Sequence, residues 1–255
     1  MPRTMLTDLQ WNKLSALMQH AGWIYHKPEH RLTFEGILYR MGTSVPWRDL
    51  PPEFGKWNRV FQRFNAWSKK GVLQLIFKSL SECADREWLF IDGSIVRAHQ
   101  HSSGAASDDD DDEAVGKSCG GRSTKIHLAV DSYGLLVHFE LSGGQVHDIV
   151  HAESLVEQSS PSDCVIADKG YDSQAFRNHI EQQGATPIIP YRKNSRKSDK
   201  PIDKCLYRYR HLVENAFARV KYFRAIATRY DKLERNYASM LALAFIIVWL
   251  PMWAE

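Results

Sequence analysis

The sequence predicts an α/β domain preceded by a small all-helical one, and three observations predict it. Apolar residues recur at helical period through residues 1–86, a signature of packed amphipathic helices. From Trp88 onward short strand-like runs alternate with helical ones, the order of an α/β layer arrangement. Two of those runs stop at an aspartate, Asp92 and Asp168, and such sheets collect ligands where strand ends leave a crevice. We therefore divide the chain into 1–86 and 87–255.

Within the first part, Thr7 and Gln10 have the spacing of a capping box, and Trp11, Leu14, Leu17 and Met18 follow on one helical face. Phe34, Ile37, Leu38 and Met41 mark a second helix, and the proline-broken stretch VPWRDLPPEFG (Val45–Gly55) connects it to a third over about 56–70. On that third helix Trp57, Val60, Phe61, Phe64 and Trp67 share a face. Arg59, Arg63 and Lys70 lie within about 40° of one another on the opposite side. A bundle helix with one solvated basic face and a helix-turn-helix module presenting cations to phosphates both fit this pattern. Six of the eight tryptophans fall in residues 1–88, so this part has core material of its own.

In the second part Leu89, Phe90 and Ile91 form a strand leading into Asp92. Thr124–Val130 and Leu135–Leu141 form two more, joined by a hairpin turn at Asp131–Gly134. A helix is expected at about Asp148–Gln158, a buried strand at Cys164–Ala167 ending on Asp168, a helix at Ser173–Gln183 and a short strand at Thr186–Pro190. One long helix then begins near Lys204. On it Arg210, Glu214 and Lys221 would form a single stripe about 60° wide, placing a carboxylate between cations.

Charge is unevenly spread: residues 1–88 carry +5, residues 89–190 carry −10 and residues 191–255 carry +8, within a net +3. Basic flanks around an acidic middle suit a protein that grips a polyanion and gathers carboxylates where a cation can screen them. Part of the acidity is the run DDDDDE (Asp108–Glu113), to which no role is assigned. The longest unbroken apolar run, Met240–Leu250, has eleven residues where a membrane span needs about 20, so it reads as a core helix and no membrane partner is expected. The N-terminus lacks the apolar stretch of a secretory signal. The four cysteines show no CxxC and no framework of spacings, so a cytoplasmic location is expected. Two motif-like fragments are set aside. Gly116-Lys117-Ser118 lacks the earlier glycine of a phosphate loop, since position 111 is Asp111. His147 and His151 are four apart but His147 is followed by Asp148, not by the glutamate of a zinc-protease helix.

Taken together, Phe90–Ser94 (FIDGS), Asp168–Ser173 (DKGYDS) and the gap-free spacing Tyr207-x2-Arg210-x3-Glu214-x6-Lys221 resemble the DDE transposases of bacterial insertion sequences, closest to the insertion sequence 5 group of the 4/5 superfamily. The likeness extends over nearly the whole chain and includes TKIHLAVDSYG (Thr124–Gly134) and the Val45–Gly55 connector. It implies an RNase H-like catalytic core, a mixed sheet flanked by helices, after a helix-turn-helix-like domain. In that core Asp92, Asp168 and Glu214 would bind two Mg²⁺ ions, which Mn²⁺ can replace, while Arg210 and Lys221, supported by Tyr207, meet DNA near the scissile phosphate. Water would first release a 3′-hydroxyl at the element end, and that hydroxyl would then attack a target strand. The implied partners are double-stranded DNA, both terminal inverted repeats and target, and a second copy of the chain. Arg59, Arg63 and Lys70, with Arg192, Lys193, Arg196 and Lys197, would hold the DNA backbone. A metal-dependent nuclease of the same fold and a non-catalytic DNA-binding regulator derived from an element remain as alternatives. Only residues 191–203 separate the last strand from the Glu214 helix, so the large insertion found there in some members does not fit.

Overall fold

The Thr7 hydroxyl accepts the Gln10 amide and the Gln10 side chain accepts the Thr7 amide, so the capping box is formed and starts helix α1 (Asp8–His20). The computed structural model describes residues 4–24, 27, 29–102, 114–159, 161–193 and 201–253; the DDDDDE run, Arg196 and Lys197 lie outside them. By packing, the chain forms two units: residues 1–80, 99–111 and 220–255 in the first, and residues 81–98 and 112–219 in the second.

The first unit holds α1, α2 (Glu29–Thr43), α3 (Trp57–Lys69) and α4 (Val72–Ser81), and adds α9 (Arg224–Ala227) and α10 (Glu234–Trp253) from the far end of the chain. Leu14, Met18, Phe34, Ile37, Leu38, Val60, Phe64 and Trp67 are buried together with Tyr237, Met240, Leu241 and Phe245, and the Phe77 and Phe245 rings lie 6.0 Å apart. Trp57 departs from its expected place: it opens α3 beyond the core and stays 37% exposed, with the Arg48 guanidinium 5.9 Å above its ring. Residues 234–252 are long and apolar enough to cross a membrane by length and composition, yet Met240–Ile246 are buried inside this unit, as a core helix requires. Gly36 permits the close packing of α2 on the connector, because a Cβ there would meet Phe54 Cβ at 2.9 Å. A buried ion pair stands where α10 begins: Arg40 donates to both carboxylate oxygens of Asp231, at 3.1 and 3.2 Å.

The second unit is a mixed sheet with helices. β3 (Gly121–Val130) pairs antiparallel with β1 (Trp88–Ala98) along one edge and with β4 (Leu136–Gly143) along the other. β1 pairs parallel with β5 (Cys164–Ile166), and β5 with β6 (Thr186–Ile188). Leu89, Ile91, Ala129 and Val165 pack beneath α5 (Ile149–Ser159) and α6 (Gln174–Gln182) with Leu155, Phe176 and Ile180.

Three expectations change. β1 does not stop at Asp92; its ladder with β3 runs on to Arg97↔Ser123, and what ends near Asp92 is the parallel ladder, whose last pair is Phe90↔Ile166. Gly116–Ser118 forms an additional short strand, β2, hairpinned onto β3 through Gly121, whose φ of 97° suits a residue without a Cβ. The helix expected as one piece from Lys204 is broken into α7 (Lys204–Tyr207), a 3₁₀ turn over Arg208–Arg210 and α8 (His211–Lys221). Tyr207 and Arg210 therefore precede α8 rather than lie on it.

Candidate active site

Parallel pairing of β1 with β5 sets the site. Phe90 is level with Ile166, the last pair of the parallel ladder; Asp92 follows two residues on within β1, and Asp168 two residues beyond the end of β5. Asp92 is held by its neighbour's amide, Gly93 N–H donating at 2.8 Å. Burial pushes its carboxyl above the usual carboxylate range; the Gly93 amide and Arg210 pull the other way, and the charges of Asp168 and Asp148 push up again. Asp168 caps the 3₁₀ turn Lys169–Tyr171, accepting the Gly170 amide at 2.6 Å.

Glu214 lies in the first turn of α8, exposed, and Arg210 joins it to the first strand. One guanidinium nitrogen donates to Asp92 Oδ2 at 3.0 Å and the other to Glu214 Oε1. Burial alone would lower the Arg210 pKa, but Asp92 and Glu214 hold the guanidinium charged, with smaller contributions from Tyr207 and Asp168. Tyr207 is thus near enough to act electrostatically on Arg210. Lys221 closes α8, two turns beyond Glu214, where burial lowers its ammonium pKa; it packs with the first unit. Arg59, Arg63 and Lys70 are also in the first unit, exposed on and just after α3.

Arg210 therefore joins Asp92 to Glu214, and Asp168 is near enough to act on Asp92 and Arg210 by its charge. Among the described residues no three His, Cys, Asp or Glu side chains stand close enough to share a metal ion, and the Arg210 guanidinium occupies the place between Asp92 and Glu214. The donors fit a divalent cation in kind. They are hard carboxylate oxygens, and at Asp92 burial and like charge already disfavour a carboxylate that lacks a counter-charge.

The Asp168 turn is bound from outside. Arg192 donates to the Lys169 and Gly170 carbonyls at 3.2 and 2.9 Å, and its own amide donates to Asp172 at 2.8 Å. Arg192, expected from sequence to hold the DNA backbone, is exposed and ties its guanidinium to this turn. Two further groups lie beside the acids. The Tyr171 hydroxyl is buried without a hydrogen-bond partner, and burial first, then Asp148, Asp92 and Asp168, raise its pKa. The other is Asp148, whose charge acts on Asp92 and on Tyr171. Behind it Glu140 accepts from His151 at 2.5 Å and from Ser154, and the His151 ring stacks on His127 at 4.3 Å.

Burial raises the Glu140 pKa, but hydrogen bonds from His138, Ser154 and His151 outweigh it and bring it from 4.5 down to about 2. Its ionised form therefore adds stability above pH 4.5 that is lost as pH falls toward 2. Glu140→Gln is expected to unfold at a lower temperature than wild type at pH 7, with the difference shrinking below pH 4.5. A pH-independent difference in thermal unfolding would contradict this.

The family model described as "Transposase DDE domain" matches residues 84–249, and one described as "Putative transposase of IS4/5 family" matches residues 6–77. A Brucella ovis protein described as "Putative transposase for insertion sequence element IS6501" is 34% identical over 130 residues, covering 50% of this chain and 98% of its own. Uncharacterized protein y4sN of Sinorhizobium fredii is 36% identical over 102 residues, covering 39% of this chain and 82% of its own. Among solved structures, that of the piggyBac transposase synaptic complex with hairpin DNA aligns with a TM-score of 0.37 at 11% identity, over 76% of this chain and 48% of that one.

Proposed function

Because the chain belongs to the transposase DDE-domain family, of the IS4/5 insertion-sequence type, we propose that it binds the terminal inverted repeats of its element and catalyses cleavage and strand transfer there. Asp92, Asp168 and Glu214 are the acids, with Mg²⁺ as cofactor and Mn²⁺ able to substitute. The observation that carries this reading is Arg210, one guanidinium spanning Asp92 and Glu214, with Asp168, just past the end of the adjoining strand, acting on Asp92 by its charge.

Two divalent ions bound by these acids supply activation of the attacking oxygen and stabilisation of the leaving one. The chain's own part is to place the acids and to manage charge. The Asp168 turn is fixed by Gly170 and Arg192, and Asp92 by Gly93. Arg210, which spans Asp92 and Glu214, would hold the scissile phosphate beside them, for which its planar guanidinium fork is suited. Tyr207 supports Arg210, and Lys221, at the end of the helix that carries Glu214, adds a phosphate contact. No covalent protein–DNA intermediate is required.

Residues 1–86 serve DNA binding and residues 87–255 catalysis. Changing Arg59, Arg63 and Lys70 together to glutamine is expected to weaken binding to element ends. It should also reduce the slope of log K against log salt by about 2 to 3, near 0.9 for each phosphate no longer neutralised. An unchanged slope in a filter-binding titration would return that face to simple solvation. Synapsis of two ends calls for at least a dimer on DNA.

Labelled element ends incubated with the protein and Mg²⁺ test the reading. Nicked ends are expected, and pre-nicked ends with a target plasmid should give joined products. Cleavage without joining would make the protein a nuclease, and end binding without cleavage in Mg²⁺ or Mn²⁺ would make it a regulator.

A further inference from the structure

The two sides of α3 treat their polar groups differently. Val60, Phe64 and Trp67 bury one side, and polar residues toward that side are already used within the protein. Asn65 accepts from the Arg235 guanidinium at 3.4 Å, and Ser68 donates to the Arg235 carbonyl at 2.9 Å. On the other side Asn58, Arg59, Gln62 and Arg63 are all exposed. Among the described residues, the side chains of Asn58, Arg59 and Gln62 have no hydrogen bond or ion pair. At about 100° per residue the four fall within an arc about 140° wide, the amides Asn58 and Gln62 along one edge and the guanidinium groups of Arg59 and Arg63 along the other. Ala66, between the two rows and further along, is too short to hold the helix away from a surface. No Asp or Glu occurs from Lys56 to Lys70, so the whole face attracts phosphate.

Paired amides beside cations on an acid-free helix match the major groove of DNA, which at about 12 Å wide admits one helix. Asn and Gln each set a donor beside an acceptor, the pattern that complements the N6 and N7 edge of adenine. Four residues of helix rise about 6 Å and each base pair about 3.4 Å, so Asn58 and Gln62 stand about two base steps apart. In a helix-turn-helix the second helix would be the reader, here α4, which follows α3 through a turn at Gly71 with φ of 66°. Its exposed residues are Leu75, Lys78 and Ser79, and its one side-chain amide, Gln74, donates to Ser239 at 3.2 Å. That surface holds no free amide to read a base.

We propose that α3 is the helix that reads the element end, with Asn58 and Gln62 bound to adenine edges in the major groove while Arg59 and Arg63 hold the adjoining phosphates. This rests on the end-binding reading given above and adds which residues carry the sequence preference.

A labelled duplex of the element end, compared with a duplex of the same composition in scrambled order, tests it with the full-length protein. Asn58→Ala and Gln62→Ala are each expected to lower the preference for the end about 5- to 150-fold, the discrimination of one bidentate amide–adenine pair. The slope of log K against log salt should stay at the wild-type value, because no phosphate contact is lost. Alanine favours helix, so the far-ultraviolet circular dichroism should be unchanged. Asn12→Ala, the same change at an exposed position of α1, should bind as wild type. When single A·T pairs of the end are replaced, each variant should be blind to one position to which wild type responds. Wild-type preference in both variants overturns the inference and leaves end binding standing, as does an equal loss of affinity for the two duplexes. A wild-type protein that binds both duplexes alike overturns the end-binding reading itself, and this inference with it.

Discussion

Asp92→Asn, Asp168→Asn and Glu214→Gln are each expected to reduce Mg²⁺-dependent cleavage of element ends by about 10³-fold or more, with end binding nearly unchanged. The size follows from what a cation contributes to a phosphoryl transition state, several kcal/mol, at about 1.4 kcal/mol per factor of ten. Each change keeps the shape of the side chain and removes one negative charge, so packing around Asp92 and the Asp168 turn should persist. Affinity for DNA depends on Lys and Arg contacts to phosphate, and loss of an acid leaves these untouched or slightly favoured. A gel-based cleavage assay run beside a binding titration separates the two effects. Cleavage at wild-type rate in any one variant removes that acid from the catalytic set. Equal loss of binding and cleavage would point to a folding defect instead.

Breaking the Arg40–Asp231 pair is expected to give the largest loss of stability from a single substitution away from the site. Both side chains are only 6% exposed, and two hydrogen bonds join them. Arg40 also lies 4.9 Å over the Trp47 ring. Asp231→Ala leaves a buried guanidinium with no counter-charge, a loss of about 3–5 kcal/mol. For a chain of this size that corresponds to roughly 6–20 °C in thermal midpoint. Replacing both partners with apolar residues, Arg40→Met with Asp231→Leu, should recover most of the loss, because the ion pair's attraction is largely offset by its desolvation. A midpoint within about 2 °C of wild type for Asp231→Ala would show that water reaches the pair after all.

The elements of the fold were legible wherever a local rule governs them. The capping box at Thr7 and Gln10, the apolar face of α3 at Val60, Phe64 and Trp67, and the strands leading to Asp92 and Asp168 all follow from residues within a few positions of one another. The matched motifs pointed to the transposase family to which the chain belongs. Boundaries were less legible. Nothing near Asp92 announces that β1 continues six residues further, because its continuation depends on pairing with β3 more than twenty residues away. The break at Arg208–Arg210 was equally hidden, since the periodicity of Tyr207, Arg210, Glu214 and Lys221 is that of one unbroken helix.

Side-chain chemistry and spacing along the chain determined the class of fold, the identity of the candidate acids and the family, since each is carried by short-range pattern. Tertiary structure alone decided who their neighbours are: that Arg210 sits between Asp92 and Glu214, that Arg192 lies against the Asp168 loop, and that Asp148 is pressed against Gly93. The reason is physical. A charge's partner is set by distance in space and by how much water is excluded around it, and two residues separated by a hundred others acquire both only when the sheet is assembled.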